Sequence, residues 1–319
     1  MEVRFSRLSP TPKALALCAF LLTAAGAVCM FLPKAQAPSA LAVRGEWEIR
    51  PGAAALSGRM LSVDTNTADG ELMLVDSAHP LPASFPVPST RSVNAMVGAY
   101  VNAAPEAALR QEAVYALCAM EFDHSWSLGA RVTEGALSKA QLEERRRDAF
   151  RRYQGVLPVG EALEKAYLAA PAPDESEHRT GYAFDIVLLG PLAMSRADPL
   201  LRNETGEWLS ENMGRYGFIR RFGPDSKSAG NCESIHLRYV GKIHAAAMGL
   251  LGLDLEDYLA LLGREGAITV FHEGAPWAVI ACVQAGSALS VAVPEGGSCS
   301  VSSDNMGHAI AAVACDPLR

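Results

Sequence analysis

The sequence has no excess of positive charge with which to bind a polyanion. Its 319 residues include 28 Lys and Arg against 35 Asp and Glu, which gives a formal net charge of −7. Because nonspecific binding to nucleic acid depends on Lys and Arg contacts to phosphate, this balance argues against a nucleic-acid partner. Charged residues make up only 20% of the chain and hydrophobic residues 50%, so the composition excludes a disordered charged tail and predicts a sizeable core.

Several common cofactor and metal motifs are also absent. The chain has no Walker or dinucleotide-binding glycine pattern, which excludes the usual phosphate-binding loops. Its seven cysteines form neither a CxxC pair nor a zinc-knuckle spacing, so we expect no cysteine to be a metal ligand. His272 and Glu273 begin like an HExxH motif, but Pro276 stands where the second histidine is needed.

The first part of the chain contains a long uncharged stretch. Residues 14–32 carry no charge, and three basic side chains precede them. A bilayer span needs about 20 apolar residues, and a basic flank favours the cytoplasmic side. We therefore predict a cytoplasmic tail at residues 1–13 and a transmembrane signal anchor at 14–33, which make a single-pass cell-membrane protein with an extracellular body. A cleavable signal peptide is the alternative, since residues 35–37 read Ala-Gln-Ala.

After residue 33, the amino-acid composition and pattern of the chain change twice. Residues 34–68 are rich in small residues and proline and show no sustained period, which is typical of a stalk or linker. Residues 69–263 mix helical and strand patterns, which indicates an α+β domain. Residues 264–319 consist of short β-type runs separated by turn residues, so we predict a separate small β module there.

The stretch SEHRTGYAFD, residues 176–185, combines a histidine and an aspartate around a glycine turn. His178 and Asp185 are seven positions apart, and Asp185 falls within the predicted strand 183–188. A carboxylate in such an apolar strand needs a partner, because burying it unpaired costs several kcal/mol. We therefore expect an arginine or a metal ion beside Asp185.

The stretch ESIHLRYVG, residues 233–241, places a second histidine on a strand. His236 shares the polar face of that strand with Arg238. Glu233, three residues before His236, has the opposite strand parity, so we expect it to approach a common centre from the strand end or from a bulge. That position suits a general base better than a fourth ligand.

Together these residues have the composition of a catalytic zinc site. Two imidazoles and one carboxylate leave a coordination position open for water, which a nearby glutamate can deprotonate. His178, Asp185 and His236 are thus the predicted ligands of Zn²⁺, and Glu233 is the predicted base. The competing interpretation is a pair of hydrogen-bonded core histidines with a turn-capping aspartate.

The two stretches resemble the SxHxxGxAxD and ExxH signatures of VanY-type D-alanyl-D-alanine carboxypeptidases, the zinc peptidases of peptidoglycan. The similarity extends from LMLVDSAHPLP near residue 72 to about residue 250. It implies a hedgehog-like α+β fold with a central antiparallel sheet and flanking helices, and a peptidoglycan stem peptide as the substrate. It also implies that Ser176 helps to position this peptide.

One part of the family pattern is altered. The family carries SGYRS followed by a Gln, and its Arg and Gln contact the peptide's carboxylate end and reacting carbonyl. Here the corresponding stretch is TEGALSKAQ, with Leu137 where arginine is expected. A leucine cannot bind a carboxylate. Gln141 remains as a substrate-binding candidate, and Arg131 is the predicted source of the positive charge.

The resemblance predicts a zinc-dependent D,D-carboxypeptidase that removes the terminal D-alanine. Two alternatives remain at this point. One is an L,D-carboxypeptidase or endopeptidase that cleaves another wall peptide bond. The other is a non-catalytic wall-binding protein, which Leu137 motivates.

Overall fold

The computed structural model describes residues 41–44, 47–53, 59–64, 68–95, 101–223, 234–272, 275–283, 288–293 and 297–315. The predicted tail and anchor lie outside these ranges, and so does Glu233. Within the ranges, none of the helices combines the length and hydropathy that a membrane crossing requires.

The described residues form six α-helices and fourteen strands, an α+β composition as predicted. The helices are α1 Gln111–His124, α2 Lys139–Gln154, α3 Val159–Ala169, α4 Glu204–Asn212, α5 Lys242–Leu251 and α6 Leu255–Glu265. The strands are β1 Ala42–Arg44, β2 Trp47–Pro51, β3 Arg59–Asp64, β4 Arg91–Ser92, β5 Ala108–Leu109, β6 Ala130–Glu134, β7 Ala183–Leu188, β8 Phe218–Arg220, β9 Ile235–Tyr239, β10 Ala267–His272, β11 Ala275–Val283, β12 Ala288–Val293, β13 Cys299–Ser303 and β14 His308–Ala314.

The first core surrounds a four-stranded antiparallel sheet with the order β6-β7-β9-β8. Successive side chains of a strand point to opposite faces, and in β7 Phe184 and Ile186 are fully buried on one of them. They share a core with Leu117 and Met120 of α1 and Leu209 of α4. Because this face is filled with apolar side chains, the polar residues of β7 and β9 are turned to the other face.

The second core lies on a six-stranded antiparallel sheet with the order β1-β2-β10-β11-β14-β13. Tyr258 and Leu262 of α6 and Met248 of α5 pack there with Val270 and Val279 of the sheet. The predicted β character beyond residue 263 is confirmed. The module is not separate, however, because it shares its core with the two preceding helices.

The prediction of a stalk over residues 34–68 is wrong for the part that the structure describes. Strand β2 pairs with β10, and β3 pairs with β12, both antiparallel. In both pairings these strands meet a partner more than 200 residues away in the sequence. Their local composition therefore gave no sign of the pairing, and the C-terminal module includes segments from both ends of the described chain.

Helix α2 begins at a capping box. Ser138 is its N-cap, and a capping box is present: the Ser138 side chain accepts from the backbone N–H of Gln141, and the Gln141 side chain accepts from the backbone N–H of Ser138. This reciprocal pair satisfies two helix-end donors that would otherwise lack partners.

Gly206 in α4 allows a close approach that provides a stability test. A Cβ atom at this position would lie 1.7 Å from the carbonyl oxygen of Leu200, whereas a Cβ at Gly160 in α3 meets nothing within 4 Å. We expect Gly206→Ala to destabilise the fold by about 1–3 kcal/mol, as overpacking does. We expect Gly160→Ala to be neutral or to stabilise the fold by about 0.5 kcal/mol. Urea unfolding of both variants checks this, and equal midpoints would contradict it.

Candidate metal centre

Two of the three predicted ligands lie side by side on the polar face of the central sheet. In the antiparallel pairing of β7 with β9, Asp185 lies directly opposite His236. Directly opposed residues in antiparallel strands have Cβ atoms about 5 Å apart and point to the same face. The strand register therefore brings the carboxylate and the imidazole together, although they are 51 positions apart in the chain.

The third predicted ligand comes from the turn that precedes β7. His178 lies in a 3-10 turn, Glu177–Thr180, that ends at Gly181 with φ +75°. This left-handed conformation is costly for other residues but not for glycine, and it turns the chain directly into the strand. The turn thus places the buried His178 beside the carboxylate of Asp185.

The three side chains present their ligand atoms to one point. His178 Nε2 lies 3.6 Å from Asp185 Oδ1, and His236 Nδ1 lies 2.7 Å from the same oxygen. One ligand atom from each residue lies within 4.8 Å of the others. Two nitrogens and one oxygen at this spacing fit a metal site with three protein ligands and an open position.

The remaining ring nitrogen of each histidine has an acceptor of its own. His178 Nδ1 lies 2.7 Å from the carbonyl oxygen of Gly135, and His236 Nε2 lies 3.1 Å from Glu177 Oε2. A carbonyl oxygen only accepts, so the proton of a neutral His178 is on Nδ1 and the lone pair on Nε2 is free for a metal. Metal-binding histidines nearly always have such an outer partner, so the residues fit a metal ion better than the alternative of structural core histidines.

The electrostatics of the group favour a bound cation. Burial by itself would raise the pKa of Asp185, but the charges and hydrogen bonds of His178 and His236 hold it well below its usual range. Burial lowers the pKa of His236, yet its hydrogen bonds to Asp185 and Glu177 outweigh this and raise the pKa to about 9. The metal-free centre therefore keeps an ionised carboxylate and a proton on His236 that a metal ion would replace.

Comparison with known proteins agrees with this geometry. Residues 110–242 match the family model of VanY, D-alanyl-D-alanine carboxypeptidase, and this match contains His178, Asp185 and His236. Residues 110–242 belong to the VanY family. The interpretation of the two sequence stretches as signatures of this family is therefore confirmed.

Two curated proteins are similar in sequence to this chain. A D-alanyl-D-alanine carboxypeptidase of Enterococcus faecalis (strain ATCC 700802 / V583) is 29% identical over 195 residues, which cover 59% of this chain and 65% of that protein. One of Enterococcus faecium is 34% identical over 101 residues, or 31% of each chain. The aligned part thus spans less than two thirds of either relative.

The crystal structure of the vancomycin-resistance D,D-dipeptidase VanXYg, in complex with a D-Ala-D-Ala phosphinate analog, has the same fold. It is 18% identical, has a TM-score of 0.64, and the match covers 81% of this chain and 100% of that one. The predicted α+β architecture of zinc D,D-peptidases is confirmed by this similarity.

The three residues predicted to bind substrate occupy different settings in the structure. Ser176 is buried immediately before the His178 turn, while Gln141 is exposed and its side chain is engaged in the α2 capping box. Arg131 is exposed on β6 opposite Val187, and so points to the same sheet face as Asp185. Within the described residues, its guanidinium has no hydrogen bond or ion pair.

The sequence analysis missed one acidic residue close to the centre. Glu134 lies opposite Asp185 in the pairing of β6 with β7, and its carboxylate forms an ion pair with Arg145 of α2. Burial raises the pKa of Glu134, and the charges of His178 and Arg145 oppose that rise. Its position in TEGALSKAQ marks it as polar, but only the strand register shows that it adjoins Asp185.

The pKa of His236 gives a pH dependence for metal binding by the VanY domain. A metal ion on Nδ1 must displace a proton that binds with a pKa of about 9. Below that pH, we expect this group alone to weaken the metal affinity about tenfold for each unit by which the pH falls. Competition with a chelator between pH 6 and 8 measures the slope, and a flat profile would contradict a ligand role for His236.

Proposed function

We propose that this protein is a zinc-dependent D,D-carboxypeptidase that hydrolyses the terminal D-alanyl-D-alanine bond of peptidoglycan stem peptides. The observation that carries the proposal is the convergence of His178, Asp185 and His236 within 4.8 Å, inside a VanY domain. Both Enterococcus relatives are named D-alanyl-D-alanine carboxypeptidase, and VanXYg was crystallised with a D-Ala-D-Ala analog.

The proposed ligands of zinc are His178 through Nε2, His236 through Nδ1, and the carboxylate of Asp185. This set of two nitrogens and one oxygen is typical of catalytic zinc, which leaves one position open. When bound, zinc supplies a Lewis acid that polarises the carbonyl group of the scissile bond. Because the centre lies on the polar face of the sheet, opposite the first core, a peptide can reach it without unfolding that core.

The proposed general base is Glu233, which precedes His236 by three residues in the sequence. In this role its carboxylate takes a proton from the attacking water and returns it to the amine of the leaving D-alanine. A carboxylate suits both steps because it accepts the proton when ionised and donates it when protonated.

The proposed substrate contacts are Ser176, Gln141 and Arg131. Arg131 would bind the terminal carboxylate of the peptide, which Leu137 cannot do, since Arg131 is exposed and lies on the same sheet face as Asp185. We expect Arg131→Ala to raise KM about tenfold or more for a peptide acid, with a smaller change for the corresponding peptide amide. Equal effects on the acid and the amide would reject this role.

The same proposal places the domain outside the cell membrane, anchored by residues 14–33. The support is the uncharged stretch and its basic flank, since an orientation with the flank inside puts the rest of the chain outside. Protease treatment of intact spheroplasts tests it. Digestion of a C-terminal tag is the expected result, and protection of the tag would contradict the orientation.

The decisive experiment on activity combines metal content with product analysis. We expect the purified full chain to bind one zinc ion and to release D-alanine from a stem pentapeptide, with loss of activity in chelator and recovery on adding zinc. Mass spectrometry of the products separates this from cleavage of an L,D or cross-bridge bond. Bound muropeptide without product, at saturating zinc, would instead identify the non-catalytic wall-binding protein.

A further inference from the structure

We propose that Glu177 is a positioning residue that fixes the ring of His236 so that its Nδ1 faces the metal. Glu177 directly precedes the ligand His178, but its own carboxylate is turned to the other histidine. This inference rests on the metal site of the proposed function and adds a residue that determines how that site is preorganised.

The two carboxylate oxygens of Glu177 contact two different kinds of partner. Its side chain is only 3% exposed. Oε2 lies 3.1 Å from His236 Nε2, while Oε1 accepts from Arg221 Nε at 2.7 Å and from Arg238 Nη1 at 2.7 Å. One oxygen thus serves the imidazole and the other serves two guanidinium groups.

Each of the two arginines is held by a different part of the fold. Arg238 Nη2 donates to the carbonyl oxygens of Met73 at 2.7 Å and Glu71 at 3.1 Å. Arg221 donates to both carboxylate oxygens of Glu256 on α6, at 2.9 and 3.0 Å. A rotation of the Glu177 carboxylate would therefore break its contacts with two arginines that are themselves fixed, one by the 71–73 segment and the other by helix α6.

This arrangement determines which nitrogen of His236 carries the proton. Oε2 of Glu177 only accepts, so once a metal ion has replaced the Nδ1 proton that faces Asp185 at 2.7 Å, Glu177 keeps the remaining hydrogen on Nε2 and leaves the lone pair of Nδ1 to the metal. Without that acceptor the ring could exchange tautomers or rotate, and Nδ1 would not be reserved for a metal. An outer-shell partner of this kind typically contributes 10- to 100-fold to metal affinity.

The variant Glu177→Gln separates positioning from mere packing. The two guanidinium groups offer only donors, so they keep the amide oxygen of the glutamine on their side. Its NH₂ group then faces His236 and favours a lone pair on Nε2 with the proton on Nδ1. We expect zinc affinity, measured by chelator competition, to fall about 10-fold or more, although the three ligands are unchanged.

Glu207→Gln is the control, because the carboxylate of Glu207 pairs with Arg196 and takes no part in the contacts that hold Glu177. We expect its zinc affinity to stay within about threefold of wild type. If wild type does not bind zinc, the proposed function fails. If wild type binds zinc and Glu177→Gln binds it equally well, only the positioning role of Glu177 is overturned.

A measurement on the wild-type protein covers the case in which Glu177→Gln does not fold. Long-range ¹H–¹⁵N spectra of the zinc-loaded full chain report the protonated nitrogen of each histidine. We expect the proton of His236 on Nε2, with a downfield shift from its hydrogen bond to a carboxylate. A proton on Nδ1, or an Nε2 proton that exchanges as fast as that of an exposed histidine, would overturn the proposal.

Discussion

Replacing His236 with alanine is expected to lower zinc affinity by more than 100-fold and to abolish D-alanine release. The imidazole supplies one of three protein ligands, and loss of an outer-shell partner alone costs about 10- to 100-fold. The variant also leaves the carboxylates of Asp185 and Glu177 without the hydrogen bonds that His236 makes at 2.7 and 3.1 Å. Equilibrium dialysis of zinc and a D-alanine assay measure the two losses.

His79→Ala is the control for this experiment. The ring of His79 is partly exposed and pairs with Asp76 at 3.0 Å, and it does not belong to the metal group. We expect this variant to keep its zinc and its turnover. If His236→Ala retained stoichiometric zinc at wild-type affinity, the ligand set would be wrong, and with it the proposed reaction.

Much of the centre could be predicted because its residues are concentrated in two short stretches. The strand Ala183–Leu188 has the predicted bounds, and strand β9, Ile235–Tyr239, lies within the stretch 233–241 that was predicted to contain a strand. A period of two then placed His236 on the polar face of its strand and Asp185 on one face of its own strand. That the two faces are the same one follows from the pairing of β7 with β9, which no local pattern contains.

Residues that act through long-range contacts were not predictable in this way. Glu177 lies within the recognised stretch, but its role depends on Arg221 and Arg238, which approach it from elsewhere in the fold. Likewise, residues 72–75 are buried, and the carbonyl oxygen of Met73 accepts a hydrogen bond from Arg238, although the segment forms no strand. Helix α3 was also missed, since its N-cap position holds Pro158, which lacks a capping side chain.

The division into domains failed for a related physical reason. The composition of residues 34–68 resembles a linker because the strands there are short, and two of them, β2 and β3, pair with strands that are distant in the sequence. Ile49 shows this most clearly: it is fully buried and lies opposite Val270 of β10. A single apolar residue in a stretch rich in small residues is a weak local signal, whereas the long-range pairing that buries it is decisive for the fold.

Glu233→Gln is expected to lower kcat about 10²- to 10⁴-fold while zinc content stays at the wild-type level. General acid–base catalysis contributes a factor of this size, and a glutamine is nearly isosteric but cannot take a proton from water. Because Glu233 is proposed as the base and not as a ligand, its loss should separate turnover from metal binding, in contrast to His236→Ala. Single-turnover D-alanine release and atomic absorption measure the two quantities on one preparation.

The matched control for the base is Asp225→Asn, which removes a carboxylate eight residues earlier in the same stretch of sequence. We expect Asp225→Asn to retain turnover within a few-fold, since the proposed mechanism assigns that carboxylate no proton transfer.

An unchanged kcat in Glu233→Gln would exclude Glu233 as the base. The half-buried Glu134, which lies opposite Asp185 and pairs with Arg145, would then be the next carboxylate to replace. Loss of zinc from Glu233→Gln would show instead that Glu233 helps to hold the metal. Together, kcat and metal content therefore distinguish a general base, a metal-holding residue and a residue with no part in the reaction.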